Sequence, residues 1–262
     1  MNMNSMNINR ILPHWIAVCL SGLIALAPAL AQADKPIRIL CAGDSITVGC
    51  TDNPKWQVPF EFGYRSGLYS RLLKGGYRFQ FVGDSPQPWN GASGKPTNEP
   101  VLDLRKFDQD HHRGYSGAAT AGALAAVRNW IADDPDLILL MVGINDGGKP
   151  EAKENLNKIL QAVFAAKPGV GMIVAQITPK AKFVQAIMDY NTYIRETLVP
   201  SFQAQGRRIT TVDQYANLLK DGAIDPSLFS NGINHPGPVA YDRMAQTWYE
   251  GIRAFPGLQT NL

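Results

Sequence analysis

The chain has 262 residues, which allows one large domain or two small ones, and its hydrophobic fraction of 45% and charged fraction of 18% are those of an ordinary soluble globular protein. Its formal net charge is only +3, so composition gives no electrostatic case for binding nucleic acid. The chain has no repeat of the kind that marks a solenoid or a propeller, and no basic amphipathic helix suited to a membrane surface.

Residues 1–33 have the pattern of a secretory signal peptide. Arg10 is their only formal charge, an apolar stretch covers 15–30, and small residues alternate at the end of the segment. A membrane anchor is the alternative, but the apolar stretch is shorter than the ~20 residues that span a bilayer, and Pro28 interrupts it. We therefore predict a leader at 1–33 and an exported domain at 34–262, secreted or periplasmic and without a stable membrane anchor.

Strand-like and helix-like segments alternate along the rest of the chain. Predicted strands cover 37–42, 78–82, 137–142, 171–177 and 209–212, and predicted helices cover 62–74, 118–132, 151–166, 183–202 with a break near Pro200, and 238–254. Repeated β-α units build a parallel sheet with helices on both faces, so we predict an α/β fold. Residues 84–113 form a long interruption rich in Pro and Gly, and loops of that length are usually functional or disordered.

The first predicted strand stops at Gly43-Asp44-Ser45, at the sheet edge where nucleophiles and ligands of open α/β folds lie. We interpret Ser45 as the candidate nucleophile, and Gly43 as the residue that lets the backbone bend and a substrate carbonyl approach. Cys41 and Cys50 flank Ser45, and in an oxidising compartment a disulfide between them would clamp this loop. The alternative is that both are small buried hydrophobic residues, and the sequence does not decide between the two.

Three later residues have the chemistry that a serine nucleophile needs. His235 lies in the loop before the last predicted helix and is the candidate base, with a plain surface turn as the alternative. Asn145 directly follows the strand at 137–142 and can donate to an oxyanion, or serve as a helix cap, a role that Asp146 can take instead. Gly117 precedes a predicted helix, so its N–H is a second candidate donor, with a flexible turn as the alternative.

Two further groups of residues allow a functional and a structural interpretation. Trp56, Phe60 and Trp89 lie in loops, where they either stack on a sugar ring or an acyl chain, or pack the loops themselves. His111 and His112 are adjacent, and adjacent histidines rarely converge on one ion, while no Cys or carboxylate pattern accompanies them. We therefore predict no metal site and no cofactor.

Ser45, Gly117, Asn145 and His235 match in order the signature serine, glycine, asparagine and histidine of the SGNH, or GDSL-type, hydrolase superfamily, which the chain resembles from about Pro36 onwards. The resemblance implies a flavodoxin-like three-layer α/β/α sandwich with a five-stranded parallel sheet. It also implies ester hydrolysis through an acyl-enzyme, without metal or cofactor. Ser45 would then be the nucleophile and His235 the base, and the N–H groups of Ser45 and Gly117 with the Asn145 amide would form the oxyanion hole.

Three segments carry a closer resemblance, namely GYRSGLYSRLLKGGYRFQFVGD, HHRGYSGA and VAQITP. They resemble secreted carbohydrate esterases of family three, which act largely as acetyl esterases on xylan. This implies an exported serine esterase that removes O-acetyl groups from carbohydrate, with acetylated polysaccharide or another small ester as its substrate. The alternatives are a lipolytic esterase or thioesterase of the same superfamily, and a noncatalytic carbohydrate-binding relative.

The chain departs from the family pattern just before the candidate base. The family usually places an aspartate three or four residues before the catalytic histidine, and the matching residue here is Asn231. Its amide can accept a hydrogen bond from the imidazole and fix the tautomer, but it supplies no negative charge. Asn231 is therefore the candidate third member of the catalytic group, with Asp225 or a backbone carbonyl as the alternatives. The missing charge is also what motivates the noncatalytic interpretation.

Overall fold

The chain folds around a central parallel sheet, seen in a computed structural model that describes residues 35–50, 62–84, 102–146, 148–230 and 232–258. The predicted leader at 1–33 lies outside the described residues, as do the loop aromatics Trp56, Phe60 and Trp89. Within the described ranges, no helix is both long enough and apolar enough to cross a membrane.

Five main strands form this sheet: β1 (Ile37–Gly43), β2 (Phe79–Val82), β4 (Leu137–Met141), β5 (Gly171–Gln176) and β6 (Ile209–Asp213). They lie in the order β2-β1-β4-β5-β6, and every neighbouring pair is parallel. A short strand, β3 (Arg113–Gly114), also pairs in parallel with the end of β1. With β3 set aside, the strand order is 2-1-3-4-5 along the chain, which is the flavodoxin-like order. The predicted fold class is confirmed, and β3, a strand too short to show a period, was not predicted.

Helices cover both faces of the sheet: α1 (Ser45–Val48), α2 (Tyr64–Lys74), α3 (Thr120–Ala132), α4 (Glu151–Ala166), α5 (Gln185–Tyr193), α6 (Val199–Gln203) and α7 (Pro238–Arg253). Helix α2 packs against α7, and α3 packs against α4. Every residue of β4 and β5 is buried, as expected of strands that are covered on both faces. A small antiparallel hairpin, β7 (Leu219–Lys220) with β8 (Ala223–Ile224), precedes the loop that leads into α7.

The predicted break near Pro200 is wrong. The chain stays helical from α5 through a π-helical turn at Ile194–Leu198 and into α6. In this turn the N–H of Val199 donates to the carbonyl of Ile194, five residues earlier, rather than four. Proline has no N–H for the regular α-helical bond. A change of hydrogen-bond register just before it lets the helix continue.

Candidate active site

The end of β1 forms the turn that carries Ser45. A side chain at Gly43 would place its Cβ 2.1 Å from the carbonyl oxygen of Met141, so only glycine fits between β1 and β4. The sequence interpretation assigned that free space to a substrate carbonyl, and the structure shows that the neighbouring strand takes it. The Asp44 carboxylate accepts a hydrogen bond of 3.0 Å from the N–H of Ile46 and caps α1. Ser45 is therefore the first residue of a short helix, and its own N–H has no partner within that helix.

The carboxyl group of Asp44 is buried beside the candidate nucleophile. Burial raises the pKa of Asp44 to about 7, against the opposing effect of the hydrogen bond from Ile46, and the nearby Asp146 raises it further. Asp44 Oδ1 already accepts the hydrogen bond that caps α1. We therefore assign this buried carboxyl group a structural role in the turn that carries Ser45.

The structure brings His235 to Ser45 across 190 residues of sequence, with 2.7 Å between Ser45 Oγ and His235 Nε2. The loop that carries His235 is held by backbone bonds on both sides. The N–H of Ser230 donates to the carbonyl of His235, and the N–H of Gly237 donates to the carbonyl of Leu228. A half-buried imidazole on a loop held in this way has little freedom to leave the serine.

Gly117 lies in a turn rather than at the first turn of a helix. The N–H of Tyr115 donates to the carbonyl of Gly43, which fixes the chain after β3 beside the turn of Ser45. The N–H of Ala118 then donates to the carbonyl of Tyr115, and Gly117 has a φ of 75°, which suits glycine at the third position of a turn. The helix begins only at Thr120, two residues later than predicted, because this turn intervenes.

Asn145 lies beside the Gly117 turn. Its Nδ2 donates a hydrogen bond of 3.0 Å to the carbonyl of Ala118, and a primary amide has a second N–H available for another acceptor. The side chain of Asp146 accepts from the N–H and the hydroxyl of Thr120 and so caps α3 from a different loop. The ends of β1, β3 and β4 therefore place Ser45, Gly117 and Asn145 at one edge of the sheet.

Asn231, the candidate third member of the catalytic group, lies outside the described residues. The alternative, Asp225, has its carboxylate on Ser227, where Oδ1 accepts from the N–H at 2.9 Å and from the hydroxyl at 2.7 Å. These bonds hold the pKa of Asp225 below its usual range. Its carboxylate is thus occupied at the start of a short 3₁₀ turn.

Cys41 and Cys50 are both buried and no disulfide joins them, so the disulfide alternative is not formed. Cys50 Sγ lies 3.4 Å from the hydroxyl of Ser116, in the turn that contains Gly117. The two cysteines therefore act as small buried residues and do not cross-link the loop that carries Ser45.

The adjacent histidines make separate contacts. Nδ1 of His111 lies 3.0 Å from the carbonyl of Gly83 and its Nε2 lies 2.9 Å from Asp108, while Nδ1 of His112 accepts from the N–H of Gly114. Across the described ranges, no group of three or more His, Cys, Asp or Glu side chains has a geometry that would hold a metal ion.

Arg65 supports the site and was not identified from the sequence. It lies on α2 and is only 1% exposed, and its guanidinium donates to the carbonyls of Thr47, Val48 and Asp110. Two of these carbonyls end α1, the helix that begins with Ser45. The sequence signal that could have indicated its burial is helical spacing, because Arg65 lies three residues before Leu68 and shares the buried face of α2 with it.

Comparisons with known proteins bear on the family and the fold. The model of the GDSL-like lipase/acylhydrolase family matches residues 41–243, which is more than half of the chain. A family 3 carbohydrate esterase of Clostridium thermocellum is similar at 26% identity and a TM-score of 0.63, over 82% of this chain and 94% of that protein. A carbohydrate esterase family 3 structure from Talaromyces cellulolyticus, at 21% identity and a TM-score of 0.58 over 83% of this chain and 96% of that one, shows the same fold.

A curated relative, a multidomain esterase of Ruminococcus flavefaciens, is 26% identical over 92% of this chain. This chain spans only 31% of the length of that protein. The resemblance drawn from the GDS turn and the three later signature residues is confirmed at the level of the family. The chain belongs to the GDSL-like lipase/acylhydrolase family.

Proposed function

We propose that the protein is an exported serine esterase that removes O-acetyl or other short acyl groups from carbohydrate through an acyl-enzyme. The observation that carries this proposal is the 2.7 Å hydrogen bond between Ser45 Oγ and His235 Nε2. A hydroxyl bonded to an imidazole nitrogen is the pair that nucleophilic acyl transfer requires. The 26% identity with a family 3 carbohydrate esterase supports a carbohydrate substrate, and the pattern of residues 1–33 supports export.

In the proposed reaction, Ser45 Oγ forms a bond to the acyl carbon while His235 Nε2 takes the hydroxyl proton. The tetrahedral oxyanion then collapses, the bond from the acyl carbon to the sugar oxygen breaks, and His235 returns the proton to that oxygen. A water molecule attacks the acyl-enzyme with His235 again as the base. The free acid leaves as Ser45 recovers its proton, so the cycle balances without a redox partner.

Asn231 remains the proposed third member of the catalytic group. It follows Ser230, whose N–H and hydroxyl both donate to the carbonyl of His235. An amide oxygen at this position can accept from Nδ1 of His235 and hold the tautomer in which Nε2 is free to accept the serine proton. Without a negative charge the imidazolium is less stabilised, so we expect a slower enzyme than one with an aspartate there.

The N–H groups of Ser45 and Gly117 and the amide of Asn145 are the proposed oxyanion hole. The N–H of Ser45 begins α1, and the Asn145 amide is held by Ala118 at the turn that contains Gly117. Donors fixed before the reaction stabilise the developing charge without a reorganisation cost at the moment of attack.

Replacing Asn145 with alanine is expected to lower kcat for p-nitrophenyl acetate by about 10²–10³-fold, the usual effect of removing one oxyanion donor. The KM should change little, because the donor acts mainly on the charge that develops in the transition state. The Asn155→Ala variant is the matched control, since that amide lies on α4 and contacts Thr120 rather than the site. A wild-type kcat for Asn145→Ala would remove Asn145 from the oxyanion hole.

Acyl chain length tests the proposed substrate class. We expect kcat/KM for p-nitrophenyl acetate to exceed that for the octanoate by at least about tenfold, and acetate to be released from acetylated xylan. A preference for octanoate or for acyl thioesters would instead indicate a lipolytic esterase or thioesterase. Binding of acetylated xylan without any turnover would favour the noncatalytic interpretation and point to Asn231 as the cause.

A further inference from the structure

A cavity of about 300 Å³ lies beside the candidate active site. Its walls come from the loop after β4, the first turn of α4, the loop after β5 and the first two turns of α5. Tyr190 forms part of the wall beneath Gly143, where a Cβ would come within 2.6 Å of the tyrosine ring. One water needs only ~10–15 Å³ of such volume, so the cavity is large enough for a small ligand.

The lining combines an apolar side with a charged one. Ile144, Ile177 and Ile187 supply apolar surface, and three lysines, Lys149, Lys153 and Lys180, also line the cavity. Such a mixture is typical of a site that packs the face of a ligand while fixing one polar group.

The lining carries more positive than negative side chains. The three lysines outnumber the two carboxylates in the wall, Asp146 and Asp189, which accept hydrogen bonds from the neutral donors Thr120 and Gln185. Within the part of the chain that the structure describes, neither Lys149 nor Lys180 has an ion pair.

Two further features add to the positive potential. The ammonium of Lys153 lies 5.6 Å from the ring centre of Tyr193, a neutral partner that leaves the lysine with its formal charge. Both helices that end at the cavity, α4 and α5, do so at their N-terminal ends, where the helix dipole is positive. The cavity is therefore suited to an anionic group.

The cavity adjoins the proposed machinery at two points. Ile144 and Asp146, which line it, directly flank Asn145 in the chain. Lys180 precedes Ala181, whose N–H donates a 2.7 Å bond to the carbonyl of Ile233, in the loop of His235. The loop of Asn145 thus supplies part of the cavity wall, and the loop of Lys180 is bonded to the loop of His235.

We propose that this cavity binds the carboxylate of an acidic sugar, so that the substrate is an acylated glycan carrying a uronic acid next to the acylated unit. The inference rests on the proposed esterase function for the reaction, and on the cavity alone for the recognition of the anion. The isoleucines pack against the sugar ring, while Lys149 and Lys180 donate to the carboxylate.

The test compares an O-acetylated oligosaccharide that contains glucuronate with an O-acetylated neutral xylo-oligosaccharide. We expect wild type to show the higher kcat/KM on the acidic substrate, and raised salt to reduce this preference. The double variant Lys149→Met/Lys180→Met should lose at least about tenfold more kcat/KM on the acidic substrate than on the neutral one. Each substitution removes a charged hydrogen bond to the carboxylate. Lys158→Met is the control, because that lysine lies on α4 paired with Glu154 and outside the cavity.

Equal kcat/KM on the two glycans, or equal losses in the double variant, would overturn the inference while leaving the esterase intact. Should wild type hydrolyse no ester at all, calorimetric binding of sodium glucuronate decides the matter separately from turnover. Binding to wild type that the double variant loses would still support the cavity as an acidic-sugar site. Absence of binding, or competition by acetate at the same concentration, would overturn it.

Discussion

The Ser45→Ala variant is expected to lose at least about 10⁵-fold in kcat for p-nitrophenyl acetate. The alanine retains the fold but has no oxygen to form the acyl-enzyme. His235→Ala should lose a similar factor, because Ser45 Oγ then has no base at 2.7 Å to take its proton. The measurement is the rate of nitrophenolate release by each purified variant beside wild type.

The double variant Ser45→Ala/His235→Ala sharpens this test. Two residues that act as one unit give losses that do not add. The kcat of the double variant should therefore lie within a few fold of the kcat of the slower single variant. Ser70→Ala is the matched control, since the Ser70 hydroxyl lies on α2 and donates to the carbonyl of Ser66 on the same helix. A Ser45→Ala variant that keeps more than a tenth of the wild-type kcat would rule out a serine nucleophile at this position.

Arg65→Met is expected to lower the free energy of unfolding by about 3–5 kcal/mol, because it leaves three carbonyls, two of them in buried hydrogen bonds, without their donor. These are the carbonyls of Thr47, Val48 and Asp110, which the guanidinium reaches at 3.1, 3.3 and 2.7 Å. Since two of them end the helix that begins with Ser45, kcat should fall as well. Urea denaturation followed by tryptophan fluorescence measures the first effect.

Arg71→Met provides the control for this stability prediction. Arg71 lies on the same helix, but its salt bridge to Asp242 is at the surface, with that carboxylate 65% exposed, and such pairs contribute less than about 1 kcal/mol. If Arg65→Met does not fold, Arg65→Lys replaces it and should show a smaller loss, because one ammonium reaches fewer of the three carbonyls. A loss for Arg65→Met no larger than that for Arg71→Met would contradict the role assigned to Arg65.

Much of the fold was predictable because the strands and helices of an α/β protein have characteristic hydrophobic patterns within short stretches of sequence. The continuous apolar run at 137–142 indicated a strand covered on both faces, and β4 is buried throughout. The apolar spacing from 151 to 166 predicted α4 with the bounds that the structure gives. The family was indicated by the GDS turn together with the three later signature residues, because each of them stands in a short local pattern at the end of a strand or before a helix.

By itself, the sequence determined the α/β class, the family and the candidate residues Ser45, Gly117, Asn145 and His235. Only the tertiary structure decided the 2.7 Å contact between Ser45 and His235, the burial of Arg65 and the cavity that Lys149 and Lys180 line. The physical reason is distance along the chain. Local periodicity reports which face of an element is buried, whereas the partner of a polar side chain depends on which loops the packed sheet brings together.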